Sequence, residues 1–281
     1  MVYSGLILLF YFYFELLNQH TKDKINLTRL VSQLAINECR HTSKDKIITY
    51  KNKETKDDFI FNIRVYNEGS VVGKTIDEVI SAGFSKILLV NDGSADNTLE
   101  ILEQKQSQYP DKLILIASNT INRGGGAANQ TGYNFIKKYG DDLKIKRFVG
   151  FDADGQMNVQ DMNNFIADLK HPADLYLGSR FINGSTVEAM PRARKIILRI
   201  SKIVTKVFYG TNITDPHNGY RVISLPALRK ISLTADGMHY ANELNEQIKK
   251  HKMKYREVPV HIRYTDYSLA KGQKNSNSIK L

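Results

Sequence analysis

The chain has 281 residues, of which 42% are hydrophobic and 25% charged, so it can bury a core and is not disordered overall. Its formal net charge of +11 attracts phosphate of any origin, which leaves nucleic acid and anionic membranes as partners to consider. The single cysteine, Cys39, cannot form an internal disulfide, and no Cys/His cluster has zinc spacing, so we expect a reducing compartment, by default the cytoplasm.

The N-terminal region differs in composition from the rest of the chain. Residues 2–17 are apolar or aromatic except for Ser4, Gly5 and Glu15. This run is shorter than the roughly 20 residues of a spanning helix, and it lacks the basic start of a signal peptide. It is either a short membrane-touching segment or a packed or disordered extension. Residues 18–57 are polar and lysine-rich and predict a linker or a partly helical appendage, so we place an N-terminal extension at 1–57 before a domain at 58–281.

From Phe59 onward, short apolar runs alternate with segments of helical periodicity. The runs that predict strands are rich in β-branched or aromatic residues and are Phe59–Tyr66, Lys86–Val90, Leu113–Ala117, Arg147–Phe151 and Leu175–Gly178. The segments that predict amphipathic helices lie between them, at Val71–Ala82, Thr98–Gln108, Ala127–Tyr139 and Val159–Leu169. This order predicts an α/β fold with a mostly parallel sheet and helices on both faces.

Polar residues are concentrated where the predicted strands end. In an open parallel sheet, ligands bind beyond the carboxyl ends of the strands. The four loops concerned carry Tyr66-Asn67-Glu68, Asn91-Asp92-Gly93-Ser94, Asn122-Arg123-Gly124-Gly125-Gly126 and Asp152-Ala153-Asp154-Gly155. A nucleic-acid binder would not place acids in such loops unless a cation lay between them and phosphate. The pattern therefore favours a metal-nucleotide site and no nucleic-acid partner.

Asp152 and Asp154 form the most informative pair. Side chains repeat every second residue in a strand, so the two carboxylates share a face at its end. They can bind Mg²⁺ or Mn²⁺ while diphosphate oxygens complete the coordination shell, and Gln156 offers a third protein oxygen. The alternative is a surface turn with a helix-capping aspartate.

Two neighbouring loops suggest how a nucleotide is held. Asp92 follows a buried strand, and its carboxylate can accept a hydrogen bond from the imino group of uracil or guanine, whereas Asp96 is better placed to cap the next helix. The glycine triplet at 124–126 can admit a diphosphate, but it lacks the third glycine of the dinucleotide fingerprint. A Rossmann dehydrogenase is therefore disfavoured.

Further segments complete a set of ordered motifs. They are Val65-Tyr66-Asn67-Glu68, Val90 to Thr98, Asn122 to Ala128, Asp152-Ala153-Asp154, Gly178-Ser179-Arg180 and Thr214-Asp215-Pro216-His217-Asn218-Gly219-Tyr220-Arg221. From about Phe59 to the C-terminus, the chain resembles the family 2 glycosyltransferases of GT-A fold. The likeness is greatest to the polyprenyl-phosphate sugar synthases, while the run from Tyr264 to Gln273 is similar to a bacterial polysaccharide-related subgroup.

The resemblance implies roles for particular residues. Tyr66, Glu68 and Asp92 would contact the nucleoside, with Asp152, Asp154 and Gln156 at the metal and diphosphate. Arg180, Arg194 and Arg221 would meet donor or acceptor phosphates. Asp215 would lie at the acceptor as base or orienter, although an Asp-Pro pair also simply initiates turns.

Three positions depart from the family pattern. Arg64 stands where proline is usual, and Gly125 stands where many members have lysine. We therefore expect the residues that bind phosphate to differ from those usual in the family. Asn242 occupies a position that is often aspartate, and whether Glu243 substitutes for it stays open.

The reaction that the resemblance implies is an inverting, single-displacement transfer from a UDP- or GDP-sugar, with the metal stabilising the leaving diphosphate. The acceptor is a lipid phosphate, a lipid-linked sugar or a polysaccharide precursor. Two rival functions are a sugar-phosphate nucleotidyltransferase, which should show a basic glycine-rich loop after its first strand, and a basic nucleic-acid-binding protein, favoured only by net charge.

The segment 192–209 predicts a basic amphipathic helix. One stripe, at three- and four-residue spacing, holds the cations Arg192, Lys195, Arg199, Lys202 and Lys206, and an adjacent apolar stripe holds Ile196, Ile200, Ile203 and Val207. Such a helix suits the headgroup boundary of an anionic membrane. The alternative is a surface helix that packs its apolar stripe on the sheet. With the basic C-terminal tail, this favours a cytoplasmic protein held peripherally on the inner face of the cell membrane.

Overall fold

The computed structural model describes residues 2–50 and 55–271. In chain order, the helices are α1 (Val2–Thr42), α2 (Lys44–Thr49), α3 (Gly69–Ser81), α4 (Thr98–Gln108), α5 (Gly125–Tyr139), α6 (Met162–Asp168), α7 (Arg192–Tyr209), α8 (Leu225–Lys230), α9 (Tyr240–Lys250) and α10 (Asp266–Lys271). The strands are β1 (Phe59–Val65), β2 (Lys86–Asp92), β3 (Leu113–Asn119), β4 (Arg147–Asp152), β5 (Leu175–Ser179), β6 (Thr186–Glu188), β7 (Arg221–Ser224), β8 (Tyr255–Pro259) and β9 (His261–Arg263).

Seven strands form one sheet in the order β3-β2-β1-β4-β7-β5-β8. The first four are parallel, as are β5 and β8, whereas β7 runs antiparallel to both of its neighbours. The predicted α/β fold with a mostly parallel sheet is confirmed. The pattern does not predict β7, because four residues are too few to show a period. Strands β6 and β9 form a separate two-stranded parallel sheet.

The sheet is buried on both faces, as parallel sheets covered by helices are. Along β2, Leu88 and Val90 join a core under α1, α5, α8 and α9, while Ile87 and Leu89 join a second core under α3, α4 and α6. This two-sided burial explains why the strands read as continuous apolar runs rather than alternating ones. It also leaves the strand ends as the place where polar side chains can converge.

The predicted elements are present with small changes at their ends. β2 and β3 each continue two residues further than the apolar run, because Asp92 pairs with Asn119 in the ladder and accepts a hydrogen bond from its Nδ2 at 2.8 Å. The predicted helix Val159–Leu169 begins with a 3-10 turn, Val159–Asp161, before α6. That turn is capped by Asn158, whose Oδ1 accepts from the Gln160 amide at 3.0 Å.

Residues 18–42 continue the N-terminal helix α1 and are not an unstructured linker. Its C-terminal half packs on β3 and α5, with Val31, Ala35, Ile36 and Cys39 in the core. These residues recur at helical spacing within a polar, lysine-rich stretch, which hides the stripe from composition alone. By contrast, the side chains from Leu9 to Leu17 are exposed. None of the helices in residues 2–50 and 55–271 combines the length and apolar content needed to cross a bilayer.

Candidate active site

A cleft of about 350 Å³ opens at the carboxyl ends of β1, β2 and β4. It is lined by Arg64, Val65, Tyr66, Glu68, Asp92, Asn122, Gly124, Gly125, Ala128, Asp152, Ala153, Asp154, Met238, Ser268 and Lys271. Five predicted site residues meet here, namely Tyr66, Glu68, Asp92, Asp152 and Asp154. The parallel strands explain this convergence, since their carboxyl ends share one edge of the sheet.

Asp92 organises the glycine-rich loop that follows β3. Its Oδ2 accepts from the Gly124 amide at 2.7 Å, and both of its carboxylate oxygens lie within hydrogen-bond distance of the Arg123 amide. Burial raises the pKa of Asp92, and the hydrogen bonds that it accepts offset part of that effect. With its oxygens engaged in this way, the carboxylate fixes the loop as well as lining the cleft.

The same loop is packed against residues 235–237. The amides of Gly126 and Ala127, in the first turn of α5, both donate to the Asp236 carbonyl, at 2.7 and 3.0 Å. A Cβ at Gly126 would lie 2.0 Å from the Ala235 carbonyl oxygen, so glycine is required for this approach. The Asp236 carboxylate also forms an ion pair with Arg123 at 2.8 Å.

The C-terminal helix α10 closes one side of the cleft. Tyr267 donates its hydroxyl to Glu68 Oε2 at 2.6 Å, and Lys271 Nζ lies 2.7 Å from Glu68 Oε1. Lys271 also donates to the backbone carbonyls of Tyr66 and Asn67. The sequence does not predict these contacts, because no local pattern links α10 to a loop about 200 residues earlier.

The acidic pair lies at the end of β4. Arg64 Nε donates to Asp152 Oδ1 at 2.7 Å, while Asp154 Oδ1 accepts from the Gln156 amide at 3.0 Å. Burial, and next the negative charge of Asp152, raise the pKa of Asp154 to about 7. A cation beside the pair would remove this repulsion.

The residues present fit a divalent cation that takes only part of its shell from the protein. Within the ranges 2–50 and 55–271, no three His, Cys, Asp or Glu side chains converge as a metal site. Two neighbouring carboxylates, only one of them paired with a cationic side chain, suit a hard cation such as Mg²⁺ or Mn²⁺, with substrate or water oxygens as its remaining ligands. Gln156 lines a neighbouring cleft of about 600 Å³, so its role as a third ligand rests on the sequence alone.

Arg180 and Asp215 face each other away from the cleft lining. Arg180 Nε and Nη2 donate to the two Asp215 oxygens at 2.6 and 2.7 Å, with both side chains almost fully buried. Arg180 Nη1 also donates to the Tyr264 hydroxyl at 2.8 Å. Because both carboxylate oxygens of Asp215 are engaged by the guanidinium, the geometry favours the orienting role over that of a base.

Positive charge dominates the loop that carries Asp215. Burial, reinforced by the positive charges of Arg221 and Arg194, lowers the pKa of His217 to about 4. Arg221 is buried, donates to the Pro216 carbonyl at 3.0 Å, and lines a small cavity together with Arg64 and Asp152. Arg194 Nε is buried and has no hydrogen-bond partner among the described residues. This region is suited to an anion.

Comparison with solved structures identifies the fold. The chain is similar to glucosyl-3-phosphoglycerate synthase from Mycobacterium tuberculosis in complex with Mn²⁺ and UDP-glucose, with a TM-score of 0.56 and 12% identity over 81% of this chain and 79% of that one. A second structure of that synthase, with Mg²⁺ and UDP, gives a TM-score of 0.54 at 12% identity over 79% of each chain. The fold is that of the GT-A glycosyltransferases.

Comparison with sequences gives the family. Residues 62–232 match the profile of Glycosyl transferase family 2, well over half of the chain. Uncharacterized protein MJ1222 of Methanocaldococcus jannaschii is 30% identical over 79% of this chain and 88% of that protein. UDP-N-acetylglucosamine--dolichyl-phosphate N-acetylglucosaminyltransferase of Methanococcus voltae is 28% identical over 75% of this chain and 87% of that protein. Polyprenol monophosphomannose synthase of Mycolicibacterium smegmatis is 26% identical over 69% of this chain and 72% of that protein.

The chain is therefore a glycosyltransferase and belongs to Glycosyl transferase family 2. The predicted family and fold are confirmed, and the nucleotidyltransferase alternative is wrong.

Proposed function

We propose that the enzyme transfers a sugar from a UDP- or GDP-sugar to a polyprenyl phosphate, with inversion at the anomeric carbon and with Mg²⁺ or Mn²⁺. The observation that carries this proposal is the pairing of two sites. An acidic cleft at the sheet edge adjoins a cationic region, and Asp152 and Arg221 line one small cavity between them. Names of relatives from Methanococcus voltae and Mycolicibacterium smegmatis, which refer to dolichyl phosphate and polyprenol, support this acceptor class.

The donor lies in the 350 Å³ cleft. Tyr66, Glu68 and Asp92 surround the nucleoside, and Asp154 would hold the metal directly, with Asp152 in support. The chemistry that such a metal would supply is an offset of the negative charge on the leaving diphosphate. The raised pKa of Asp154 supports this assignment, because a carboxylate that is costly to ionise alone gains most from a cation.

The acceptor phosphate lies in the cationic region. Arg194 and Arg221 neutralise it, and Arg180, whose own charge is balanced by Asp215 and whose guanidinium is held in one direction by that pair, helps to orient it. A lipid phosphate arrives already ionised, so the displacement needs no general base. The low pKa of His217, about 4, makes its imidazole a weak base, and the Asp215 carboxylate is engaged by Arg180, so both support a site that positions an anion rather than one that removes a proton.

The lipid acceptor requires contact with a membrane, and α7 supports it. The side chains of Ile196, Ile200, Ile203 and Val207 are 55–71% exposed, so the stripe does not pack on the sheet. Leu198 and Thr205 face the protein instead. With its cations, α7 is suited to the headgroup boundary of an anionic membrane on its cytoplasmic face. The exposed aromatic run of α1, Leu9–Leu17, is a second apolar contact.

The test is a transfer assay with UDP- and GDP-sugars against polyprenyl phosphate, a polyprenyl-diphosphate sugar and a soluble glycan, with the product resolved by mass spectrometry and its anomeric form by NMR. We expect a polyprenyl-phosphate sugar that forms only with Mn²⁺ or Mg²⁺. Asp154→Asn should abolish turnover while the protein stays folded, and Asp168→Asn, outside the cleft, serves as control. Transfer only to another acceptor, or wild-type metal dependence in Asp154→Asn, would contradict the proposal.

A further inference from the structure

We propose that Arg64 is a donor-binding residue whose guanidinium contacts the diphosphate of the nucleotide sugar. This assignment rests on the proposed function, since it requires a nucleoside diphosphate in the cleft. Arg64 is the one residue of β1 that is not fully buried, and it faces the cleft beside Asp154.

The Arg64 side chain is fixed on three sides. Nε donates to Asp152 Oδ1 at 2.7 Å, and Cζ lies 5.3 Å from the centroid of the Tyr240 ring. On the third side lies Gly125, where a Cβ would stand only 2.4 Å from Arg64 Nη1. The guanidinium therefore occupies the space that a side chain at position 125 would need.

The first turn of α5 offers a phosphate few amides that are not already hydrogen-bonded. A helix N-terminus usually binds phosphate through its free amides. Here the amides of Gly126 and Ala127 already donate to the Asp236 carbonyl, and the Gly124 amide donates to Asp92. These bonds leave the Gly125 amide, so a diphosphate that enters beside Gly125 has one amide to accept from and gains further stabilisation from a cationic side chain, which position 125 does not supply.

The charges that line the cleft also favour Arg64 as the diphosphate contact. Among residues 2–50 and 55–271, four carboxylates line the cleft, from Glu68, Asp92, Asp152 and Asp154, against two cations, Arg64 and Lys271. Lys271 is held at Glu68 by an ion pair and by two backbone carbonyls. Of these two, only Arg64 lies at Gly125, in the first turn of α5. The two departures from the family pattern, Arg64 and Gly125, are thus spatial neighbours, with the cation on β1 instead of on the loop.

The experiment is a binding titration of UDP, GDP and the matching monophosphates at a fixed, saturating Mn²⁺ concentration. Arg64→Gln removes the charge but keeps a donor for Asp152, and Arg64→Ala removes both. We expect diphosphate binding to weaken about tenfold to a hundredfold, the effect of losing one charge-assisted hydrogen bond, with a much smaller change for monophosphates. Thermal unfolding without ligand confirms that each variant is folded.

A lysine at position 125 supplies the matched control. Gly125→Lys in the wild-type background should weaken diphosphate binding, because its Cβ would displace the guanidinium, whose Nη1 lies 2.4 Å from that position. The same change added to Arg64→Ala should restore most of the lost affinity. If Arg64 only supports the fold, Gly125→Lys should not weaken diphosphate binding in the wild type and strengthen it in Arg64→Ala.

Two outcomes separate the possible failures. If the wild type binds UDP or GDP and Arg64→Gln binds them equally well, or loses mono- and diphosphates alike, the assignment of Arg64 is overturned and the proposed function stands. If the wild type binds no nucleoside diphosphate, the proposed function is overturned and this assignment with it.

Discussion

Arg180 and Asp215, 35 residues apart in the chain, form a buried two-point ion pair in which each carboxylate oxygen accepts from a different guanidinium nitrogen. Bidentate pairs of this kind fix the plane of the guanidinium as well as its charge. The carboxylate is 0% exposed and the guanidinium side chain 6%, so neither group can turn to solvent for a substitute partner. The pair therefore fixes the orientation of the Arg180 guanidinium.

The first prediction concerns this pair. Arg180→Ala and Asp215→Ala should each lower the free energy of unfolding by about 3–5 kcal/mol, because each leaves a buried charge unpaired. The double variant should lose less than the sum of the two. Chemical denaturation measures all three. The exposed pair Arg263 and Glu188 is the control, where Glu188→Ala should leave stability nearly unchanged. Additive losses at Arg180 and Asp215 would show that they do not act as a unit.

The second prediction concerns pH and Asp154. Its pKa in the folded protein, about 7, lies above the value of 3.8 expected in the unfolded chain. The folded state therefore binds this proton more tightly than the unfolded chain does. Protonation of Asp154 stabilises the fold fully below pH 4, and this stabilisation is lost as the pH rises through 7. As the pH is raised from 5 to 8 in EDTA, the melting temperature of the wild type should decrease relative to that of Asp154→Asn.

Metal binding should show the opposite dependence on pH. Protons compete with the cation for Asp154, so Mn²⁺ affinity should fall as the pH drops below 7. Titration calorimetry at pH 6 and pH 8 measures this. If the wild type and Asp154→Asn give parallel melting curves across the whole pH range in EDTA, the raised pKa is not a property of the folded protein.

The third prediction concerns α7. Arg199→Glu with Lys202→Glu should release the enzyme from phosphatidylglycerol vesicles at low salt, because each cation near an anionic surface contributes about 1 kcal/mol. Co-sedimentation at low and high salt measures the bound fraction. Lys170→Glu with Lys254→Glu places the same charge change on exposed positions outside α7 and should have little effect.

A second pair of α7 variants separates charge from apolar contact. Ile200→Ser with Ile203→Ser keeps every cation and should reduce the binding that survives high salt. Absence of wild-type binding at low salt, or unchanged binding by the charge-reversed variant, would exclude α7 as the membrane contact.

The fourth prediction concerns the boundary between extension and domain at residue 57. Ile36 is 4% exposed and packs in the main core, whereas Leu16 on the same helix is 70% exposed. Ile36→Ala should lower the free energy of unfolding by about 2–4 kcal/mol, and Leu16→Ala by less than about 0.5. Urea unfolding measures both. Equal and small effects would mean that α1 is an appendage and that the domain does begin near residue 58.

The sequence by itself determines what depends on neighbours along the chain. The alternation of apolar runs and helical patterns predicts the parallel sheet, because period and length select strand or helix locally. The polar loops at the strand ends predict the edge where Tyr66, Glu68, Asp92, Asp152 and Asp154 meet. The stripes of α7 are equally local, since residues at three- and four-residue spacing share a helix face.

Only the tertiary structure decides the partners of those residues. Asp152 is matched with Arg64 by the pairing of β1 with β4, and Asp215 with Arg180 by a loop that returns to the end of β5. Gln156 stands two residues beyond Asp154, yet the turn at Gly155 takes it to the neighbouring cleft. Contacts of this kind arise when distant segments are packed together, and the spacing of residues in the chain carries no signal for them.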